Sequence, residues 1–123
     1  MSKKTKAVKV VNPIGYKVLR KIGQKLMSSS SKFLKVQYIS GKFVKPRTYG
    51  GPLAVFTSKY QAIGSIEKLD HKGQMRVYRC EYIPTTANLL FRFAEGGLQT
   101  KELDTCPMGT VLARKVKLLK KIF

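Results

Sequence analysis

The stretch that most constrains this chain is Pro46–Leu69, PRTYGGPLAVFTSKYQAIGSIEKL. A basic loop rich in glycine and proline, Pro46–Pro52, leads into a short apolar run, Leu53–Phe56, which stops at Thr57-Ser58. Ser58 with Gln61 three residues on has the form of a capping box, in which the N-cap hydroxyl satisfies a free backbone N–H of the first helical turn. Ala62, Ile63, Ile66 and Leu69 follow at helical spacing. The pattern predicts a helix from about Lys59 to Leu69, buried along Ala62, Ile66 and Leu69. Gly64 inside it costs about 1 kcal/mol relative to alanine, which close packing of helix on sheet would explain. Loop, strand and helix are therefore fixed as one unit.

Elsewhere the dominant pattern is alternation. From Gly15, GYKVLRKI sets Tyr16, Val18 and Ile22 against Lys17, Leu19 and Lys21. Gly23-Gln24 reads as a turn and KLMSSSS as a return strand, giving a β-hairpin; the serines Ser28–Ser31 read as its closing loop. Phe33–Ile39 carries apolar residues on both faces, the mark of a central strand, and Ser40-Gly41 turns the chain toward Phe43 and Val44. Met75–Ile83 places Tyr78, Cys80 and Tyr82 opposite Val77, Arg79, Glu81 and Ile83, and Pro84 closes it. Asn88–Phe93 and Leu98–Leu103, joined by Glu95-Gly96-Gly97, read as a second hairpin, followed by a loop over Asp104–Gly109. The tail TVLARKVKLLKKIF fits strands at 110–113 and 115–122, or a helix presenting Lys117, Lys120 and Lys121 as a stripe. Thr110, Val111 and Val116 favour strands. The expected fold is α+β: a mainly antiparallel, strongly twisted sheet of about six or seven strands with one principal helix near 59–69. At 123 residues the chain suits a single domain, 13–123, preceded by a flexible basic arm, 1–12.

Charge narrows the function. The chain holds 25 Lys and Arg against 6 Asp and Glu, a formal +19. Residues 1–66 carry 14 of the basic residues and no acid, residues 67–112 carry six of each, and residues 113–123 add five basic residues. Self-repulsion of such a set opposes the compact state, so a solubility surface explains it poorly. An anionic partner explains it better. Nucleic acid leads, because a polyanion rewards many dispersed lysines through counterion release. An anionic membrane surface and a small phosphorylated ligand come next.

Chemistry of other kinds finds little support. Cys80 and Cys106 stand 26 residues apart with no CxxC, and His71 is the one histidine, so no metal framework is present. Neither GxGxxG nor GxxxxGK[ST] occurs, and no cofactor is implied. His71 lies beside Asp70 in a turn pattern with no serine or cysteine placed to use it as a base. The acids Glu67, Asp70, Glu81, Glu95, Glu102 and Asp104 are scattered, short of a paired-carboxylate site. The chain reads as non-enzymatic. The basic start lacks the apolar core of a signal peptide and no apolar run has membrane-spanning length. A reducing cytoplasmic setting with unpaired thiols is expected, and no membrane partner.

The order of elements, Gly50-Gly51-Pro52-Leu53 running through Val55, Phe56 and Ser58 into a helix with Ala62, then VYRCEY (77–82), then GTVLA (109–113) and KVKLL (115–119), resembles small uncharacterised proteins encoded in bacteriophage genomes. The resemblance covers about Gly15 to Phe123. That set in turn distantly resembles the ADP-ribosyltransferase-type split β-sheet. The resemblance implies a nucleotide-like ligand held over the sheet, yet no His-Tyr-Glu or Arg-Ser-Glu set maps onto these positions, so it implies no catalysis. It also suggests a phage accessory or host-interference role inside the bacterial host cell.

The leading expectation is thus a module that binds RNA or DNA through backbone phosphates, with Lys17, Arg20, Lys21, Lys25, Lys32 and Lys35 along the hairpin and third strand. Lys45, Arg47 and Tyr49 would join them at the Gly-rich loop, where glycines allow close backbone approach and arginine beside tyrosine offers a phosphate fork and a stacking face. The same glycines also suit a plain connection. Further basic–aromatic neighbours are Lys35 with Tyr38, Lys42 with Phe43, and Arg76 with Tyr78; tyrosines at strand spacing equally suit a core. No RNP, GXXG or helix-turn-helix pattern supports base-specific readout. Two other classes stay open: a pocket protein for a nucleotide-like anion, and an inhibitor that covers an acidic surface of a nucleic-acid-handling protein.

Overall fold

The computed structural model describes residues 11–28, 36–46, 52–67, 72–87, 89–94, 97–106 and 108–123. Among the described residues nine strands and one α-helix are formed: β1 Ile14–Ile22, β2 Lys25–Ser28, β3 Gln37–Tyr38, β4 Phe43–Val44, β5 Leu53–Phe56, α1 Lys59–Ile66, β6 Met75–Pro84, β7 Leu89–Ala94, β8 Gly97–Glu102 and β9 Thr110–Lys121. The α+β class and the antiparallel pairing agree with the sequence pattern. The main sheet has seven strands and closes into a small barrel, while β7 and β8 form a separate two-stranded ribbon.

Closure follows from strand length. β1 pairs with β6 over Ile14–Arg20 along one edge. Along its other edge it meets β5 at Tyr16–Phe56 and then β2 over Leu19–Ile22. β9 does the same, lying on β6 along one edge and on β5 and then β4 along the other. The ring β1–β6–β9–β5 is therefore complete, and a closed ring leaves those strands no free edge.

The walls are lined on both sides. Leu19, Val55, Cys80, Val116 and Leu118 fill the lumen with Tyr38 and Tyr82. A second cluster, Val18, Met75 and Val77, lies on the outer wall beneath Ala62 and Ile66 of α1. This corrects the simple two-sided reading of β1. Tyr16 and Val18 pack toward the helix while Leu19 packs into the lumen, so neither face is solvated in mid-strand.

Local signals behave as their chemistry requires, with informative exceptions. Gly23, at φ 62°, supplies the positive φ that a two-residue hairpin loop needs between Ile22 and Lys25. Ser58 caps α1, accepting from the Gln61 N–H at 3.5 Å; the Gln61 carboxamide lies against Gly109 instead of completing the box. α1 ends at Ile66, with Glu67 as its C-cap, and Leu69 lies outside the described residues. β3 is not a central strand: it terminates the sheet path, and Val36 and Tyr38 are buried while Gln37 and Ile39 are exposed. Ser28 belongs to β2 and its Oγ accepts from the Val36 N–H at 3.0 Å. Ser29–Ser31, Phe33–Lys35, the arm at 1–10 and His71 lie outside the described residues, and Asn12, at the arm's end, is docked by its Nδ2 on Glu81 Oε2 at 2.7 Å. Both cysteines are unpaired.

The tail is one strand, β9, with an irregularity where the sequence suggests a break. Ile83 faces Lys115 but Pro84 faces Ala113, leaving Arg114 as the extra residue. Arg79 faces Lys120 but Cys80 faces Leu118, leaving Leu119 as another. Each bulge shifts the alternation by one residue.

Gly15 is where the ring is tightest. A Cβ there would come within 2.5 Å of Val55 Cγ1 and 2.8 Å of the Phe56 carbonyl oxygen. Gly15→Ala is expected to lower stability by about 1–3 kcal/mol, read as a fall in the urea midpoint at unchanged m-value; an unchanged midpoint would show that β1 and β5 separate freely.

Candidate nucleic-acid interface

The two bulges determine which side chains of β9 share its outer face. Lys115 is opposite Ile83, Lys117 opposite Glu81 and Lys120 opposite Arg79. Every second residue of β6 thus faces a lysine, a spacing of about 7 Å along the wall. Without the second bulge Leu119 would hold the place that Lys120 takes. Across β9 on its other edge, Phe43 of β4 faces Lys117, whose Nζ sits 4.9 Å from the ring centroid. Phe43 is 39% exposed, and Lys42 and Lys45 on either side of β4 are exposed as well.

The electrostatics of this face are lopsided. Glu81 accepts from Asn12 and lies 3.6 Å from Lys117 Nζ. Arg79 and Lys120, both exposed, stand directly opposite each other, and like charges in that register are destabilising. The face combines a row of cations with an exposed aromatic ring.

The positions expected from sequence divide. Lys21 and Lys25 are exposed at the β1–β2 turn, and Arg20, half-buried beside them, donates from Nε to Gln74 Oε1 at 2.8 Å. Lys45 is exposed just after β4. The turn and the β9 row are not brought together: Arg20 is level with Met75 and Lys117 with Glu81, a separation of about 20 Å along β6. Lys32, Lys35, Arg47 and Tyr49 lie outside the described residues. Tyr38 is buried in the lumen, and Tyr78 packs against the lumen core, so neither offers a free stacking face. Sequence reasoning omitted Arg79 and Lys115 from the contacts and offered Lys117 and Lys120 only as part of a helical stripe. The five basic residues after position 112 were the available signal, but their common face depends on bulges that alternation cannot reveal.

Lys17 requires the clearest correction. It is 6% exposed and points into the lumen, where its Nζ donates to the Ala54 carbonyl oxygen at 2.6 Å and lies 5.6 Å from the Tyr38 ring centroid. A cation there cannot reach a phosphate outside. Burial pushes its pKa down to about 8, the Cys80 thiol opposing the shift. Burial likewise raises the Cys80 thiol to about 11, against the pull of Lys17 and a hydrogen bond to Gly15. Tyr38 is pushed up by burial too, and its buried hydroxyl has no hydrogen-bond partner among the described residues.

Among the described residues no three His, Cys, Asp or Glu side chains are grouped to hold a metal ion, and no helix is long and apolar enough to cross a membrane. Comparison with protein-family models, with characterised proteins and with solved structures finds no match.

A buried ammonium with no counter-ion among the described residues is a liability that a thioether removes. Lys17→Met is expected to stabilise the fold by about 1–3 kcal/mol at neutral pH. The folded pKa, about 8, lies below the ordinary 10.5, so between these values the unfolded chain binds more protons and stability gains with pH. The variant's advantage should therefore shrink between about pH 8 and about pH 10.5, as followed by urea unfolding. An advantage independent of pH would show that burial does not shift the Lys17 pKa.

Proposed function

We propose that this protein binds nucleic acid through backbone phosphates, and that the outer face of β4, β9 and β6 is the contact surface. The observation that carries this is the like-charge row. Lys115, Lys117 and Lys120 are spaced along one wall, with Arg79 opposite Lys120, where repulsion works against the fold. A polyanion converts that repulsion into binding energy by releasing its condensed counterions. The exposed Phe43 ring beside Lys117 offers a face on which a base can stack, which favours a single strand over a duplex. The basic turn at Lys21 and Lys25 supplies a second, more distant contact for a longer strand. Among the described residues no base-reading element accompanies these groups, so binding is expected to tolerate many sequences. A setting as a phage accessory or host-interference protein is consistent with this reading and rests on sequence resemblance.

Fluorescence anisotropy with a labelled oligonucleotide tests this across a salt series. With about six phosphates engaged, log K against log salt should have a slope near −4 on a single strand and near −5 on a duplex. Lys115→Gln combined with Lys120→Gln should reduce the magnitude of the slope by about 1–2 and weaken binding to every sequence alike. Phe43→Ala should cost about 1–3 kcal/mol on a single strand and little on a duplex. A flat salt response would overturn the proposal.

A further inference from the structure

On a face built of cations, Glu81 is out of place. Of the β6 residues in register with β9, Tyr78 to Pro84, it is the one acid, and it stands between the positions opposite Lys115 and Lys120, about 7 Å from each. A carboxylate there lowers the potential that draws a polyanion. Both of its oxygens are nevertheless engaged. Oε1 lies 3.6 Å from Lys117 Nζ, a solvent-accessible pair of the kind that contributes little. Oε2 accepts from Asn12 Nδ2 at 2.7 Å, a charge-assisted bond of the stronger kind. Next to it the Tyr82 N–H donates to the Pro13 carbonyl oxygen at 3.1 Å, and Ile14 is in register with Glu81. The chain entering β1 is thus fastened to β6 at Asn12, Pro13 and Ile14 in turn.

What that fastening directs is charge. Residues 1–12 hold Lys3, Lys4, Lys6 and Lys9 and no acid. A chain spans at most about 3.6 Å per residue, so Lys9 stays within about 11 Å of Asn12 and Lys3 within about 32 Å. Asn12 sets their starting point on the wall that carries Lys115, Lys117 and Lys120. We propose that Glu81 is a positioning residue for the phosphate-binding face: by holding Asn12 it starts the basic N-terminal residues there, so that one polyanion meets their lysines and the β9 row together. This assignment rests on the nucleic-acid reading of the face. Tethered charges act at an effective concentration set by the length and origin of the tether, and fixing the origin outweighs the one negative charge that Glu81 brings. As a mere counter-charge, Glu81 would relieve repulsion within the row and could only weaken the hold on a polyanion. The two roles therefore differ in sign.

Anisotropy titrations of the full chain with a labelled single-stranded oligonucleotide, over a salt series, provide the test. Asn12→Ala leaves the charge unchanged and removes the Glu81 contact. It should weaken binding about threefold to tenfold at about 0.1 M salt and lower the magnitude of the salt slope by about 1–2, at about 0.7 per phosphate lost. Glu81→Ala should do the same although it removes an acid. Glu81→Gln keeps an acceptor for Asn12 without the charge and should bind at least as tightly as the wild type. With Lys3→Gln, Lys4→Gln, Lys6→Gln and Lys9→Gln made together, adding Asn12→Ala should cost less than about twofold, whereas damage to the fold would persist on that background. Tighter binding by Glu81→Ala, wild-type binding by Asn12→Ala, or an Asn12→Ala loss that persists without the four lysines would each overturn the proposal and leave the nucleic-acid reading in place. A flat wild-type salt response would overturn both.

Discussion

The barrel depends on a mismatch of strand lengths. β1 and β9 each outrun the short strands laid along one edge, so each is covered on one edge by β6 and on the other by two strands in succession. β5 bridges them and closes the ring. Only a side chain as small as that of Gly15 lets the β5 backbone come so near. A four-residue strand thereby acquires a ladder on each side, and the bulges at Arg114 and Leu119 bend β9 around the wall. Closure also divides the residues strictly into lumen and exterior.

That strictness explains the burial of Lys17. Side chains alternate along a strand, so a one-residue slip of β1 would relieve the lysine by sending Leu19 and Val18 each to the other's side. Both are buried, Leu19 among the lumen residues and Val18 beneath α1. Their combined burial is worth several kcal/mol, more than the cost of one desolvated amine hydrogen-bonded to Ala54. The register wins, and the lysine follows it inward. Composition alone would place every lysine of so basic a chain at the surface.

The same contrast separates what was legible in the sequence from what was not. Leu53–Phe56 and the Ser58 cap were readable because they rest on local chemistry, a run of apolar residues and a hydroxyl at an N-cap. β6 was readable because Tyr78, Cys80 and Tyr82 alternate with the charged Arg79 and Glu81. The face of β9 was not, since two bulges shift its phase and make Leu112, Val116, Leu119 and Phe123 mimic a helical stripe. Barrel closure was not legible either, because it is a property of partner lengths and not of any single strand. The charge of the sequence thus pointed to an anionic partner, but it did not reveal the row on β9, and one candidate, Lys17, is buried in the lumen.

The kind of cation bears on the kind of partner. The chain has 19 lysines and six arginines, and the three β9 cations in register with Ile83, Glu81 and Arg79 are all lysines. An ammonium is a compact, strongly hydrated point charge, without the planar fork with which a guanidinium grips a base edge or a paired carboxylate. A surface built to cover a folded acidic protein gains from forks that fix orientation. A surface that follows a flexible polyanion gains from interchangeable charges at regular intervals, because the strand can shift by one phosphate without loss. The even spacing set by the β6 register, and the preference for lysine along it, favour the second kind of partner. Under the proposed function, Phe43 would be the group that separates single strands from duplexes, since a stacking face is useful only where bases are free.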